Sequence, residues 1–282
     1  MITLHKSRIP VWIEALDGNT VDKTSFSRTI DAFLKQVEES DGLRCFVADS
    51  ALYTKKTIGE LSEKVQWVTR VPETVGLLKK LLDEIPAESF VSDPERPGYR
   101  WCELGSTFRG VRQRWVVVFS QSARDREAKT LDRKGFFVVA TNALDDTRLS
   151  GRDLLDLYKA QGTSIELGFR FLKDPLFFAD AFFRKSEKRI MALTMVMAIA
   201  LRIYALAEEE LRETLKKLRE SLPDQKKKPT SRPTMRWIFQ LMDNIHWKPS
   251  RGDPGGEVWM KDVQRKIVSF FSPEVRKIYG VG

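Results

Sequence analysis

Glu166 is the one acid between Tyr158 and Lys173, in the stretch YKAQGTSIELGFRFLK. Gln161, Arg170 and Lys173 flank it, and Tyr158 lies three residues before Gln161. On a helix, Glu166, Arg170 and Lys173 fall four and seven residues apart and share a face. An acid among cations and an aromatic suits a metal-dependent reaction on phosphates. The acid holds the cation and the basic groups hold the polyanion. Phe169 and Leu172 can fill the buried side of such a helix, which leaves the charged side for a ligand. Two plainer readings stay open. Glu166 and Arg170 could be an exposed i,i+4 pair worth a few tenths of a kcal/mol. Thr163-Ser164-Ile165-Glu166 also reads as a capping box, with Gly162 breaking the helix before it. A second acid, Asp49, closes the run RCFVADS at 44–50. Arg44–Ala48 reads as a strand, so Asp49 is either a turn former or a strand-end carboxylate able to hold Mg²⁺. Asp17 and Asp22 read as loop and helix-cap residues.

The Tyr158–Lys173 stretch resembles the signature helix of bacterial insertion-sequence transposases of the DDE type. There a tyrosine, an arginine or glutamine, the third catalytic acid and a lysine follow one another in this order. RCFVADSALYT at 44–54 is similar to the strand that ends in the second catalytic aspartate of that family. GNTVDKTSF at 18–26, WVTRVPET at 67–74, GFRFLKDP at 168–175 and KPTSRPTMRWIF at 228–239 extend the match, in order, over nearly the whole chain. One more residue separates Gln161 from Glu166 than in the commonest form of the motif.

The resemblance implies an enzyme that cuts the ends of an insertion element and joins them to target DNA. Asp49 and Glu166 would be catalytic acids and metal ligands for a pair of Mg²⁺ ions. Tyr158, Gln161, Arg170 and Lys173 would contact DNA. Self-association is a further partner expectation, and the location expected is the bacterial cytoplasm, at the nucleoid. The family uses three acids, and the first belongs on a strand before the segment that opens at Met1. The chain is therefore expected to be a shortened, incomplete transposase. Its alternative is an inactive DNA-binding remnant.

Composition sets wide bounds. The 282 residues carry 48 Lys and Arg against 39 Asp and Glu, a net +9 that fits a polyanion partner without requiring one. Cys45 and Cys102 form no metal spacing and fit a reducing cytoplasm. His5 and His246 are the only histidines, too few for a His-rich zinc site. The N-terminus has no apolar signal core. The longest apolar run, Ile190–Leu201, is shorter than the about 20 residues a bilayer needs, so it reads as a buried core helix and no membrane is expected.

The elements that must position these acids follow from periodicity. Alternation predicts a hairpin over 2–5 and 9–16, helices over 22–39 and 55–64, and strands over 44–48 and 66–71. Residues 74–84 read as helical and 85–98 as a loop. Strands at about 99–109 and 112–119 turn at Gly110, a strand follows at 136–141, and helices cover the site stretch and 187–220. Residues 223–235 read as a basic, proline-broken linker. Helical pieces are expected at about 235–245 and 257–271. The fold class is α/β: an RNase H-like core lacking its first strand, with an inserted β hairpin and a helical C-terminal extension. The expected division is 1–204 for the core, with the β insertion at about 72–122, and 205–282 for the extension.

Overall fold

The computed structural model describes residues 1–5, 9–14, 22–37, 45–73, 84–126, 135–172, 186–250 and 253–281. Within these it describes no side chains for 22–27, 163–167, 169–172, 187, 249–250 and 253–257. The expected helix at 74–84 lies almost wholly outside the described residues.

The chain opens with β1 (Ile2–Thr3) and β2 (Pro10–Trp12), which pair antiparallel. Helix α1 (Asp22–Val37) buries Ile30 and Phe33. Strand β3 (Cys45–Ala48) leads through a 3₁₀ turn, Ser50–Leu52, to α2 (Lys55–Ser62) and β4 (Gln66–Arg70). Thr54 caps α2, its hydroxyl accepting from the Thr57 N–H at 3.1 Å. Then come β5 (Val91–Ser92), β6 (Tyr99–Phe108), β7 (Val111–Ser120), α3 (Gln121–Arg126), β8 (Phe136–Thr141) and α4 (Gly151–Leu172). Helix α5 (Glu187–Leu218) is followed by β9 (Leu222–Pro223), β10 (Pro229–Thr230) and α6 (Met235–Leu241). Strands β11 (His246–Ser250) and β12 (Asp253–Trp259), then α7 (Asp262–Ser269) and α8 (Pro273–Ile278), complete it. Two compact units result: Met1 with Glu14–Leu167, and Ile2–Ile13 with Gly168–Gly282.

The first unit is a mixed six-stranded sheet in the order β3-β4-β8-β7-β6-β5. Only β3 and β4 run parallel; the other pairs are antiparallel. The run WVVV at 115–118 in β7 is wholly buried, as a strand covered on both faces must be. Val116 and Val118 face Leu154 and Leu155 of α4 together with Val68 and Val139. Hydrogen bonding also fixes an interior polar point. The Gln113 Oε1 atom accepts from the Tyr53 hydroxyl at 2.8 Å and from the Trp115 indole at 2.9 Å.

Several expectations change here. The β6–β7 hairpin is built into the sheet, since β7 pairs with β8 over Arg114–Phe119. The 85–98 stretch adds β5 to its edge. Helix α4 runs unbroken through Gly162, so Thr163 cannot be its N-cap and the capping-box reading of Glu166 fails. The real cap is Ser150, whose hydroxyl donates to Asp153 Oδ2 at 2.6 Å while accepting from the Asp153 N–H at 3.2 Å.

In the second unit, β2 packs on α5. The C-terminal part is not purely helical: 246–250 and 253–259 form a ribbon, and 223–235 holds a small β9–β10 pair. Val258 and Trp259 favour a strand where helical spacing suggests a longer helix. Helix α5 also departs from the buried core helix expected. Ile190, Met191, Met195, Val196 and Ile199 are exposed, while Met197 and Leu201 are buried. Over Lys188–Leu218 it is long and apolar enough to cross a membrane, a test that the core helix of a soluble protein can also pass.

Candidate functional site

The site is assembled where β3 and β4 end side by side. Their parallel register pairs Ala48 with Thr69, so Asp49 and Arg70 leave adjacent strands at the same level. Asp49 is exposed and opens the 3₁₀ turn, its Oδ1 accepting from the Ala51 N–H at 2.9 Å. The turn-forming role is thus real, and among the described residues Oδ2 accepts no hydrogen bond. The Thr69 hydroxyl donates to the Asp49 carbonyl at 2.6 Å, which ties the turn to β4.

Helix α4 closes the site from the other side. With its amide oriented to satisfy both partners, Gln161 donates to the Ala48 carbonyl at 3.3 Å and accepts from the Asp49 N–H at 3.2 Å. Tyr158, one turn earlier, is half-buried and packs on Phe137, ring centroids 6.3 Å apart. Burial raises its phenol above the ordinary value and the Asp49 charge adds to this. The charge of Arg70, and a hydrogen bond to it, oppose the rise. Arg70 also pairs with Glu73 at 3.2 Å. Tyr158, Gln161, Asp49 and Arg70 therefore meet at one point.

What holds α4 in register is its N-terminus. The Glu103 carboxylate accepts from the Gly151 N–H at 3.0 Å and pairs with buried Arg114 at 3.5 Å. Arg114 in turn donates to the Leu149 carbonyl, and the pairs Arg96–Asp156 and Arg152–Glu95 brace the same turns. An acid at a helix N-terminus also complements the helix dipole. Position 151 suits glycine, since a Cβ there would run into the Glu103 carboxylate that accepts from the Gly151 N–H.

Glu166 and Arg170 lie on α4, with side chains outside the described set, and Lys173 lies outside the described residues altogether. Among the described residues, no cluster of three His, Cys, Asp or Glu could hold a metal ion. Arg70 is the residue that sequence reading missed. WVTRVPET shows only an arginine at a strand end; that its strand runs parallel to the one ending in Asp49 is visible in the structure alone.

Beside this site, hydrogen bonding to Lys159 and then to Ser120 pulls the Tyr99 phenol down to about 8. The Lys159 ammonium stands 3.3 Å from the centre of the Tyr99 ring. Phenolate should therefore form between about pH 7 and pH 9, well before an ordinary tyrosine. A folded-state value below the unfolded one adds stability as pH rises from about 8 to about 10, and none below. Ultraviolet difference titration should show one early tyrosine, and Lys159→Gln should return it toward 10. An unchanged titration in that variant would refute the assignment.

A family model for the transposase DDE domain matches residues 1–203 of this chain, and the chain belongs to that family. No curated protein matches it. Its mixed α/β architecture, a central mixed sheet with helices, is consistent with an RNase H-like transposase domain. Members of the family serve transposition, act on DNA and generally use a divalent metal.

Proposed function

We propose that this chain is the metal-dependent cleavage and strand-transfer domain of an insertion-element transposase, with its chemical centre at the end of β3. The observation that carries the reading is the meeting of Asp49 with Tyr158, Gln161 and Arg70. An exposed carboxylate with one oxygen steadied by a backbone N–H suits a hard, oxygen-seeking cation. Asp49 would hold Mg²⁺, with Glu166 as a second ligand. The bound ion would polarise the phosphodiester. Arg70 would face a phosphate oxygen beside Asp49, and Tyr158 would orient the strand. Arg170 and Lys173 would grip the DNA backbone. DNA is the substrate class, bound at this site without sequence preference.

The test is equilibrium binding of duplex DNA across a salt series. Neutralised phosphates release counterions, so affinity should fall steeply with salt. The Arg170→Ala, Lys173→Ala double variant should bind about tenfold or more weakly, with a salt slope lower by about 2. Arg70→Ala should weaken binding as well. Parent-like binding in the double variant would overturn the assignment of this face.

A further inference from the structure

Helix α5 has one side packed and one side bare. On the packed side Leu211 and Leu215 enter the C-terminal core with Leu222, Met235 and Ile238, and Met197 and Leu201 are buried along the same side. At about 100° per residue, the opposite side is a line through Ala192, Met195, Ile199, Ile203 and Leu206. All five are exposed. Burial against a second apolar surface would take this line out of water, which is favourable.

The line ends in charge. Lys188 lies one turn before Ala192 and Glu210 one turn after Leu206, both exposed and on the same side of the helix. Neither forms an ion pair with another described residue. From Lys188 to Glu210 the steps along this line are 4, 3, 4, 4, 3 and 4 residues, the same read from either end. Ile199 is the midpoint. Exposure is balanced about it, with Met195 66% and Ile203 62% exposed.

A surface that reads alike in both directions meets the demand of a two-fold axis, where residue i must meet j while j meets i. Set antiparallel about Ile199, two copies of the helix bring Met195 against Ile203 and Ala192 against Leu206. Lys188 then meets Glu210 at both ends, the two charge pairs standing about 33 Å apart. A parallel pair would instead set Lys188 on Lys188 and Glu210 on Glu210, so charge selects the antiparallel arrangement. Arg202 stands at the edge of the line, where its stem can lie over Val196 of the second copy with the guanidinium in water. An unrelated protein has no need of the palindrome. A bilayer fits poorly, since lysine, arginine and glutamate stand on the bare side and the other side is packed on protein.

We infer that α5 is a self-association surface on which a second copy of this chain docks antiparallel, with Ile199 on the two-fold axis. The pairing is independent of chemistry at Asp49, so neither result decides the other.

The experiment sediments the full chain in EDTA without DNA, where the parent should run as a dimer at micromolar concentration. Ile199→Asp sets two carboxylates against each other on the axis and should weaken the dimer at least about a hundredfold. Lys188→Glu and Glu210→Lys should each weaken it about tenfold, because each turns two attractive pairs into repulsive ones. The two changes combined should restore the parent's affinity to within about threefold. Cross-linking reads the geometry directly. Under oxidation Ile199→Cys should link to its own copy, and a mixture of Lys188→Cys with Glu210→Cys should link the two chains, while Lys188→Cys alone should not self-link. A monomeric parent, a dimer that survives Ile199→Asp, no restoration in the combined swap, or self-linking of Lys188→Cys would each overturn the proposal. So would a monomeric parent that floats with phosphatidylcholine vesicles, which would assign the face to a membrane.

Discussion

Incubated with Mg²⁺ or Mn²⁺ and DNA carrying the element's ends, the Asp49→Asn variant should cleave at least about a thousandfold more slowly than the parent, roughly 4 kcal/mol of barrier. An amide cannot replace a charged ligand to the metal. Asp49 follows β3, which is the edge of its sheet and pairs only with β4 among the described residues. Glu166→Ala should cost a comparable factor. Cleavage that survives Asp49→Asn would refute a chemical centre at the end of β3. A metal-soaked structure gives a second check. Asp49 and Glu166 carboxylates much more than about 8 Å apart could not share a metal pair.

Trp67→Ala should cost about 3–5 kcal/mol of stability, the largest single loss we expect from the core. Trp67 on β4 is fully buried. Its indole donates to the Ser62 hydroxyl at 2.9 Å, and its ring meets Tyr53 edge-on with centroids 6.5 Å apart. Truncation removes the apolar contacts, leaves a cavity between sheet and α2, and takes away the indole N–H that the Ser62 hydroxyl accepts. For a unit of this size the melting midpoint should drop by roughly 6–20 °C. The effect also reaches the site, since β4 carries Thr69 and Arg70. Thermal unfolding of the variant measures it, and a shift below about 2 °C would contradict the packing described.

Most of the sheet was legible because its strands carry a strong local signal. CFVA, QWVTR and FFVVAT are short apolar or β-branched runs bounded by turns, and the structure places strands on all three. Asp49 could be located for the same reason: it follows directly where such a run stops. Arg70 was hidden because its importance depends on a parallel register between strands whose paired residues lie 21 positions apart, which no local pattern encodes. Gln161 was legible as a motif position, but its bonds to the Ala48–Asp49 backbone were not. The C-terminal ribbon was missed because glycines and prolines at 249–256 interrupt its alternation. The charged tail of α5 gave a correct helix, while burial of its apolar half was wrongly inferred from composition alone.

The exposed apolar side of α5 sets a tension with every cationic surface on the chain. Met191, Met195, Ile199 and Ile203 recur at four-residue intervals along it and are all exposed. Electrolyte acts on these two features in opposite senses. Salt loosens the hold of lysine and arginine on phosphate, yet excluded salts such as sulfate strengthen apolar association. The conditions that strip DNA from the protein are thus the ones that drive such stripes together. Bound DNA, by keeping the chains charged and apart, would act as a solubilising counterpart for this helix.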